Sequence, residues 1–170
     1  MLDSDLIDVQ LDTDFFDDKA TYLEEFPRVV YTGMIDQFFD YKFGELEYRS
    51  LRFESEVLPT DNAQGNAVIN YTDAETPYTR VMEWRHFDQK GDDNVSILTR
   101  EYPQVWDRSK EAYYPVNDEK NSTLFKQYRS EAKQLDKVIM GGRLGNYQYY
   151  DMDQVFNAAL GAVEKEFQQD

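Results

Sequence analysis

Cysteine is absent from the 170 residues, and histidine occurs only once, as His86. Without a thiol the chain has no disulfide, no thiolate zinc site and no cysteine nucleophile. A single imidazole is too few for a usual zinc site or for a Ser-His-Asp triad. We therefore expect no metal centre, and we expect His86 to be a structural residue.

Positive charge is also scarce, because 18 Lys and Arg face 34 Asp and Glu, for a formal net charge of −16. This balance excludes nonspecific binding to nucleic acid. The acidic residues are concentrated in residues 1–26, where a solvated acidic face is the expected arrangement. The rest of the chain is only mildly acidic, so a few well-placed arginines there could still hold an anionic substrate.

Long apolar runs are missing as well. No stretch approaches the roughly 18 apolar residues of a membrane span, and Met1 is followed by an acidic segment rather than by a signal-peptide pattern. We therefore expect a cytoplasmic protein without a membrane span. The chain does contain many aromatic residues, with 13 Tyr and 11 Phe, and these are enough to build a folded core.

Four segments have the composition of β-strands, because each is rich in Val, Ile, Tyr, Phe or Thr and is bounded by Pro, Gly, Asp or Asn. They are residues 46–57, 66–72, 79–87 and 95–102. Turn residues at 59–62, 73–77 and 90–94 predict that these strands pair antiparallel. Residues 9–14 show a weaker alternation of apolar and polar side chains.

Two further runs, residues 29–32 and 138–140, have the wholly apolar character of parallel strands that are covered on both faces. Helical spacing predicts a helix that begins at Asn117 or Asp118 and reaches Leu135. A last helix should begin at Asp151, capped by Gln154, with one stripe formed by Val155, Ala159, Val163 and Phe167.

Two parallel strands do not make a self-sufficient sheet, so we expect the chain to be the second half of a larger α/β protein. Its eight glycines contain no GxGxxG motif, which places any such phosphate-binding turn in the missing part. By itself the chain is predicted to be α+β, with a mostly antiparallel sheet. We divide it into an acidic opening and first buried strand (1–33), an antiparallel-sheet substrate domain (34–116) and a helix-strand-helix unit (117–170).

Several strings resemble the UDP-galactopyranose mutase family, and they occur in order from about residue 28 to the last helix. Family members are about twice as long as this chain, and the part without a counterpart here is their N-terminal half. The matching strings are residues 30–41 (VYTGMIDQFFDY), 44–51 (GELEYRSL), 65–73 (GNAVINYTD), 77–80 (PYTR), 113–118 (YYPVND), 141–144 (GGRL) and 149–152 (YYDM).

The resemblance implies an isomerase that interconverts UDP-galactopyranose and UDP-galactofuranose, the precursor of galactofuranose in cell-surface glycans. The family uses reduced FAD without net redox change, and its protein part positions sugar and flavin and stabilises the departing pyrophosphate. In the whole protein this chain would complete the FAD-binding domain. Alone it is expected to be inactive and to lose FAD, since the glycine turn is absent.

The resemblance also implies substrate-binding residues. Arg80 matches the arginine that pairs with the UDP pyrophosphate, and a planar guanidinium suits bidentate phosphate binding. Tyr114 and Tyr149 match tyrosines whose hydroxyls reach the phosphates, although Tyr113 and Tyr150 could take their places. Glu101 matches a residue near the substrate. The catalytic set implied is Arg80, Tyr114, Tyr149 and Asp151.

Flavin contacts are implied at the glycine-arginine segment and at the start of the last helix. A helix N-terminus suits the electron-rich pyrimidine edge of a flavin, because its free N–H groups point outward. Asp151 would also serve as an ordinary N-cap. The implied cofactor-binding residues are Gly142, Arg143, Asp151, Met152 and Asp153.

Two other hypotheses remain open. The chain could be a noncatalytic truncated or split fragment that folds without FAD and acts only as a partner or remnant of the mutase. From composition alone it could also be an acidic, β-rich interaction module. When the chain is separate from the rest of the protein, apolar surface around residues 29–31 and 138–140 should be exposed, which favours self-association and a possible homo-oligomer.

Overall fold

The computed structural model describes residues 2–87 and 94–168. In this part the strands form two sheets, one antiparallel with five strands and one parallel with two. The α+β class predicted from the sequence is confirmed. The predicted turn at 90–94 lies outside the described residues except for Asn94.

Helices occupy the two ends of the chain and the connections between the sheets. A short 3-10 helix at Phe15–Asp17 precedes the first α-helix, and a second 3-10 helix follows the fourth strand at Trp84–His86. The α-helices are α1 (Lys19–Glu25), α2 (Ile35–Phe38), α3 (Glu119–Ala132), α4 (Gly142–Gly145) and α5 (Met152–Phe167).

The antiparallel sheet has the spatial order β3-β4-β5-β2-β6. Its centre is the long pair formed by β2 and β5, which stay in register from Arg49 opposite Val105 to Leu58 opposite Ser96. The strands of the described residues are β1 (Val29–Tyr31), β2 (Tyr48–Leu58), β3 (Val68–Asn70), β4 (Arg80–Glu83), β5 (Ser96–Val105), β6 (Tyr114–Pro115) and β7 (Val138–Met140).

The second sheet consists of β1 and β7, paired in parallel with Val29 opposite Val138 and Tyr31 opposite Met140. The two apolar runs are therefore parallel strands, as predicted. Tyr31 and Val138 are buried, whereas Val30 is 63% exposed. Apolar surface of this small sheet consequently faces solvent.

Some predicted boundaries were wrong. The weak alternation at residues 9–14, to which no strand was assigned, produces none, because these side chains are exposed and leave no apolar face to bury. The third strand keeps only Val68–Asn70, and the fourth ends at Glu83, where the carboxylate turns inward and the chain enters a 3-10 helix. His86 therefore does not continue the strand that carries Arg80.

Aromatic side chains dominate the core. One buried cluster lies between α2, α3 and the beginning of β2, and another packs β1 against β7 and α2. The first contains Ile35, Leu46, Tyr48, Tyr128 and Tyr147. The second contains Tyr31, Phe38 and Val138, with Phe15 and Phe16 packed against it.

A buried carboxylate holds the first cluster together. Asp36 has no exposed surface and accepts hydrogen bonds from the Tyr48 hydroxyl at 2.7 Å and from the backbone N–H of Leu46 at 2.9 Å. Burial raises the pKa of Asp36, although these two hydrogen bonds act in the opposite direction. The carboxylate thus ties α2 to the start of β2.

Helix α5 begins as predicted, with Asp151 and Gln154 in a capping box. Gln154 accepts the backbone N–H of Asp151 at 2.9 Å. The predicted stripe is not buried: none of residues 152–167 is buried, and Val163 and Phe167 are 53% and 74% exposed. Val155 and Val163 face an apolar cleft of about 350 Å³ toward β1 and β7. No helix in the described part is both long and apolar enough to cross a membrane.

Glu83 is a second buried carboxylate and fixes the loop between β2 and β3. It accepts the backbone N–H groups of Ala63 and Gln64 at 2.8 and 2.9 Å and the Ser96 hydroxyl at 2.5 Å, and His86 lies 3.2 Å away. Desolvation raises the pKa of Glu83, but these donors outweigh it and lower the pKa to about 2. This contact gives His86 the structural role expected from the sequence.

We predict that Glu83→Gln destabilises the protein by about 1–3 kcal/mol at pH 7, because an amide has one acceptor oxygen where the carboxylate has two. Because the pKa of Glu83 is lower in the folded state, its charge stabilises the fold at pH values above its ordinary pKa of 4.5. This stabilisation is lost as the pH falls toward 2. The difference between wild type and Glu83→Gln should therefore shrink in that range. Denaturant unfolding of both proteins at several pH values measures this difference in stability.

The matched control is Glu75→Gln, which changes an exposed carboxylate in the loop before β4. It should alter stability by less than about 0.5 kcal/mol at every pH. A Glu83→Gln difference that stays constant from neutral to acidic pH would show that the charge of Glu83 is not what holds this loop.

Candidate anion-binding site

Strand register brings three polar residues together on one face of the antiparallel sheet. Arg80 on β4 lies opposite Glu101 on β5 and opposite Asn70 on β3. Directly opposed residues in antiparallel strands point to the same face. Asn70, Arg80 and Glu101 therefore form one cross-strand row, in which Glu101 is next to Phe53 of β2.

Arg80 is held from both sides of this row. Its Nε donates to Oδ1 of Asn70 at 3.0 Å, and Nη1 lies 3.6 Å from Oε2 of Glu101. The side chain nevertheless remains 42% exposed. The guanidinium is thus oriented by its neighbours while its end is open to an incoming anion.

Glu101 is the buried member of the row, with 8% of its surface exposed. Thr79 donates its backbone N–H to the Glu101 carbonyl at 2.9 Å, and the Thr79 hydroxyl lies 3.3 Å from Oε1 of Glu101. The carboxylate is therefore positioned to orient Arg80 more than to meet a ligand directly.

A second cluster forms around Arg143 in α4. Its guanidinium carbon lies 5.3 Å from the ring centre of Tyr114 and 5.0 Å from that of Tyr149, and the two rings are 5.4 Å apart. Nε of Arg143 donates to the carbonyl of Tyr150 at 2.8 Å. A cation over two tyrosine rings is a favourable cation–π arrangement.

The other tyrosine of each pair has different partners. The Tyr113 hydroxyl donates to Glu111 at 2.7 Å, and this bond raises the pKa of Tyr113. Its ring packs on Phe53 with centres 5.9 Å apart. Tyr150 lines the cleft beside α5. The pair that meets is therefore Tyr114 and Tyr149, while their role toward a ligand stays a prediction.

The two clusters share a sheet face. Tyr114 lies opposite Arg49, and Arg49 and Phe53 occupy alternate positions of β2, so all three point to the face that carries Arg80. Arg49, Phe53 and Asn70 were missed by sequence reasoning. The alternation Arg49, Leu51, Phe53 was the available signal, but it reveals a shared face only once the strand pairing is known.

The residues expected at a flavin lie beside this face. Gly142 has a φ of +68°, a conformation that favours glycine, at the first turn of α4. Asp151 caps α5, and Met152, which opens the helix, is 78% exposed. An open helix start and a glycine backbone fit an edge contact with a planar ring. Their assignment to a cofactor remains a prediction.

Arginines and tyrosines on one exposed face, next to an open helix start, form a site suited to a phosphorylated ligand. Among the described residues no group of three or more His, Asp and Glu could hold a metal ion. The side chains on this face supply positive charge, hydrogen-bond donors and aromatic surface.

The family model described as UDP-galactopyranose mutase matches residues 1–149. This chain therefore belongs to the UDP-galactopyranose mutase family. It is 38% identical over 142 residues to the UDP-galactopyranose mutase of Mycoplasma pneumoniae, covering 81% of this chain and 35% of that protein. It is 32% identical over 163 residues to a probable UDP-galactopyranose mutase of Klebsiella pneumoniae, covering 96% and 41%.

A relative with a different named substrate matches equally well. The dTDP-fucopyranose mutase of Escherichia coli is 36% identical over 141 residues, covering 83% of this chain and 37% of that protein. The chain thus spans about two fifths of the length of the curated relatives it matches.

We predict that Arg143→Ala loosens the segment that carries Tyr149. The substitution removes the contact with both rings and the bond to the Tyr150 carbonyl, at a cost of about 1–2 kcal/mol. Hydrogen exchange at residues 146–151 should accelerate, and Arg143→Lys should restore little because an ammonium lacks the planar fork. Arg129→Ala on α3 is the control. Equal exchange in wild type and Arg143→Ala would contradict the prediction.

Proposed function

We propose that this chain is the C-terminal part of a flavin-dependent isomerase that interconverts UDP-galactopyranose and UDP-galactofuranose. Its task is to bind the substrate pyrophosphate and to contact the flavin. The observation that carries the proposal is the shared sheet face, which holds Arg80 and Tyr114, with Arg143 and Tyr149 packed against Tyr114. Membership of the family supports the choice of this reaction.

Arg80 is the proposed pyrophosphate ligand. When the bond from the sugar to the nucleotide breaks, the diphosphate gains negative charge, and a fixed cation next to it lowers the barrier. The bond from Arg80 to Asn70 and its ion pair with Glu101 orient the guanidinium before the ligand arrives. Preorganisation of this kind avoids part of the entropy cost of binding.

Tyr114 and Tyr149 are the proposed hydroxyl donors to the same phosphates, with Arg143 adding positive charge between their rings. Gly142, Arg143, Asp151, Met152 and Asp153 would approach the flavin edge. Bound reduced flavin supplies the nucleophile for the sugar and undergoes no net redox change. The residues of this chain bind, orient and stabilise charge.

A dTDP-fucopyranose substrate is the second candidate, because a dTDP-fucopyranose mutase is 36% identical to this chain. Both candidates are nucleoside diphosphate sugars, so the proposed role of Arg80 is the same. Turnover of the two substrates by the full-length protein distinguishes them.

A noncatalytic fragment remains the alternative for the chain when it is separate from the rest of the protein. The division at residues 33 and 116, the homo-oligomer and the cytoplasmic location stay predictions. Sequencing upstream of residue 1 tests the alternative, since a mutase requires a glycine-rich strand-turn-helix there.

We predict that the purified 170-residue chain is colourless. FAD binding needs a phosphate-binding glycine turn, and residues 142–153 supply only the ring edge. Absorption in the visible flavin band, before and after added FAD and gel filtration, measures retention. Stoichiometric retained flavin would contradict the prediction and would also remove the main objection to activity of the separate chain.

In the full-length protein we predict that Arg80→Ala lowers kcat/KM by roughly two to four powers of ten, or about 3–5 kcal/mol, because a charge-assisted contact to the leaving group is lost. Arg80→Lys should recover only part of it. Flavin content should not change.

Arg52→Ala is the matched control, since Arg52 lies on β2, two strands away from β4, and with its register partner Tyr102 it occupies the opposite face from Arg80. It should leave kcat/KM within about threefold of wild type, as expected for a substitution away from the site. A nearly normal rate for Arg80→Ala would show that Arg80 does not bind the substrate. Loss of flavin together with activity would show that Arg80 binds the cofactor or supports the fold instead.

A further inference from the structure

Tyr147 connects the two segments that carry the site tyrosines. It precedes Tyr149 by two residues, and its hydroxyl donates to the carbonyl of Glu47 at 2.5 Å and accepts the N–H of Val116 at 3.2 Å. Val116 follows Tyr114 by two residues and comes directly after the short strand β6. One phenol oxygen thus lies between the segments of Tyr114 and Tyr149.

The ring of Tyr147 is fixed as firmly as its hydroxyl. Only 5% of the residue is exposed, and the ring packs edge-on to Tyr48 at 5.4 Å and against Phe125 at 5.5 Å. Burial raises the pKa of the Tyr147 hydroxyl, which therefore remains a hydrogen-bond donor across the physiological range.

The backbone at Tyr147 is unusual. Its φ is +45°, in the left-handed region that residues other than glycine rarely adopt. This turn follows α4 directly, and Gln148 then donates its N–H to the carbonyl of Arg143 at 2.9 Å. The chain is thereby redirected so that Tyr149 lies over the guanidinium of Arg143. Strained positions of this kind persist where the surroundings determine them.

From this geometry we infer that Tyr147 is a positioning residue: its hydroxyl sets the distance between Tyr114 and Tyr149 and so shapes the phosphate side of the site. Its importance to catalysis rests on the proposed function. The β2–β6 ladder pairs only two residues, and just outside it the N–H groups of Tyr113 and Val116 donate to the carbonyls of Arg49 and Glu47 at 2.9 and 3.0 Å. These backbone bonds hold β6 to β2 but do not reach the segment of Tyr149. Loss of the Tyr147 hydroxyl should therefore let Tyr114 move relative to Tyr149.

The chain offers a matched control in Tyr128. This tyrosine is also buried in the same cluster, and its hydroxyl donates to the carbonyl of Gly44 at 2.6 Å and accepts the N–H of Phe43 at 3.1 Å. Tyr128→Phe and Tyr147→Phe thus remove the same group from the same kind of contact. Only Tyr147 adjoins the site tyrosines.

The deciding experiment uses the 170-residue chain and does not depend on its enzymatic activity. Ring-to-ring nuclear Overhauser effects between Tyr114 and Tyr149, assigned with Tyr114→Phe and Tyr149→Phe, report the 5.4 Å contact. We expect Tyr147→Phe to weaken this effect to about half or less of its wild-type intensity. Tyr147→Phe and the control Tyr128→Phe should lose similar thermal stability. An undiminished effect in Tyr147→Phe, or an equal loss in Tyr128→Phe, would overturn the inference.

In the full-length protein, Tyr147→Phe should lower kcat for the nucleotide-sugar isomerisation by about tenfold, because Tyr114 and Tyr149 would no longer hold the ligand in its reactive position. Flavin content should not change. Tyr128→Phe should keep kcat within about twofold of wild type. If wild type isomerises no nucleotide sugar, the proposed function fails, whereas the Overhauser comparison still decides the role of Tyr147. An unchanged kcat in Tyr147→Phe would contradict the positioning role.

Discussion

The register of β2 against β5 is the constraint on which the rest of the molecule depends. Side chains alternate between the two faces of a strand, so a slip of one residue would move Phe53 and Glu101 to opposite faces. β4 pairs with β5 and β6 with β2, and both strands inherit this register. Arg80 and Tyr114 share a face only because the central pair holds its alignment over ten residue pairs.

The short strands at the edges need other means of attachment, and the chain uses buried polar groups for this purpose. Asp36 ties α2 to the start of β2, and Glu83 ties the loop before β3 to β4 and β5. Tyr128 ties α3 to the adjacent backbone groups of Phe43 and Gly44, and Tyr147 joins the carbonyl of Glu47 to the N–H of Val116. A buried polar group is costly unless every partner is present, which makes each tether specific for one arrangement.

Local signals explain what could be predicted from the sequence. The cap of α5 at Asp151 and Gln154 and the parallel pairing of β1 with β7 were expected from residues that are close in the chain or from uniformly apolar runs. The end of β4 was not, because Glu83 turns inward toward a loop some twenty residues earlier. The cluster of Arg143 with Tyr114 joins segments about thirty residues apart, and only the family resemblance suggested both as site residues.

The two sides of the proposed site differ in how complete they are within this chain. On the phosphate side, Arg80 and Arg143 already have the partners that orient them, and those partners belong to the antiparallel sheet and the adjoining loop. On the proposed flavin side, Met152, Val163 and Phe167 of α5 are exposed, and within the described residues the parallel sheet has two strands. A chain that spans two fifths of the length of its relatives thus contains a preorganised set of proposed phosphate-binding groups beside an exposed apolar face. Because α5 carries both the proposed flavin contacts and the exposed stripe, whatever covers that stripe would also fix the helix start against the cofactor. Cofactor retention and burial of α5 are therefore expected to be gained together, whereas the geometry around Arg80 should be the same with or without them.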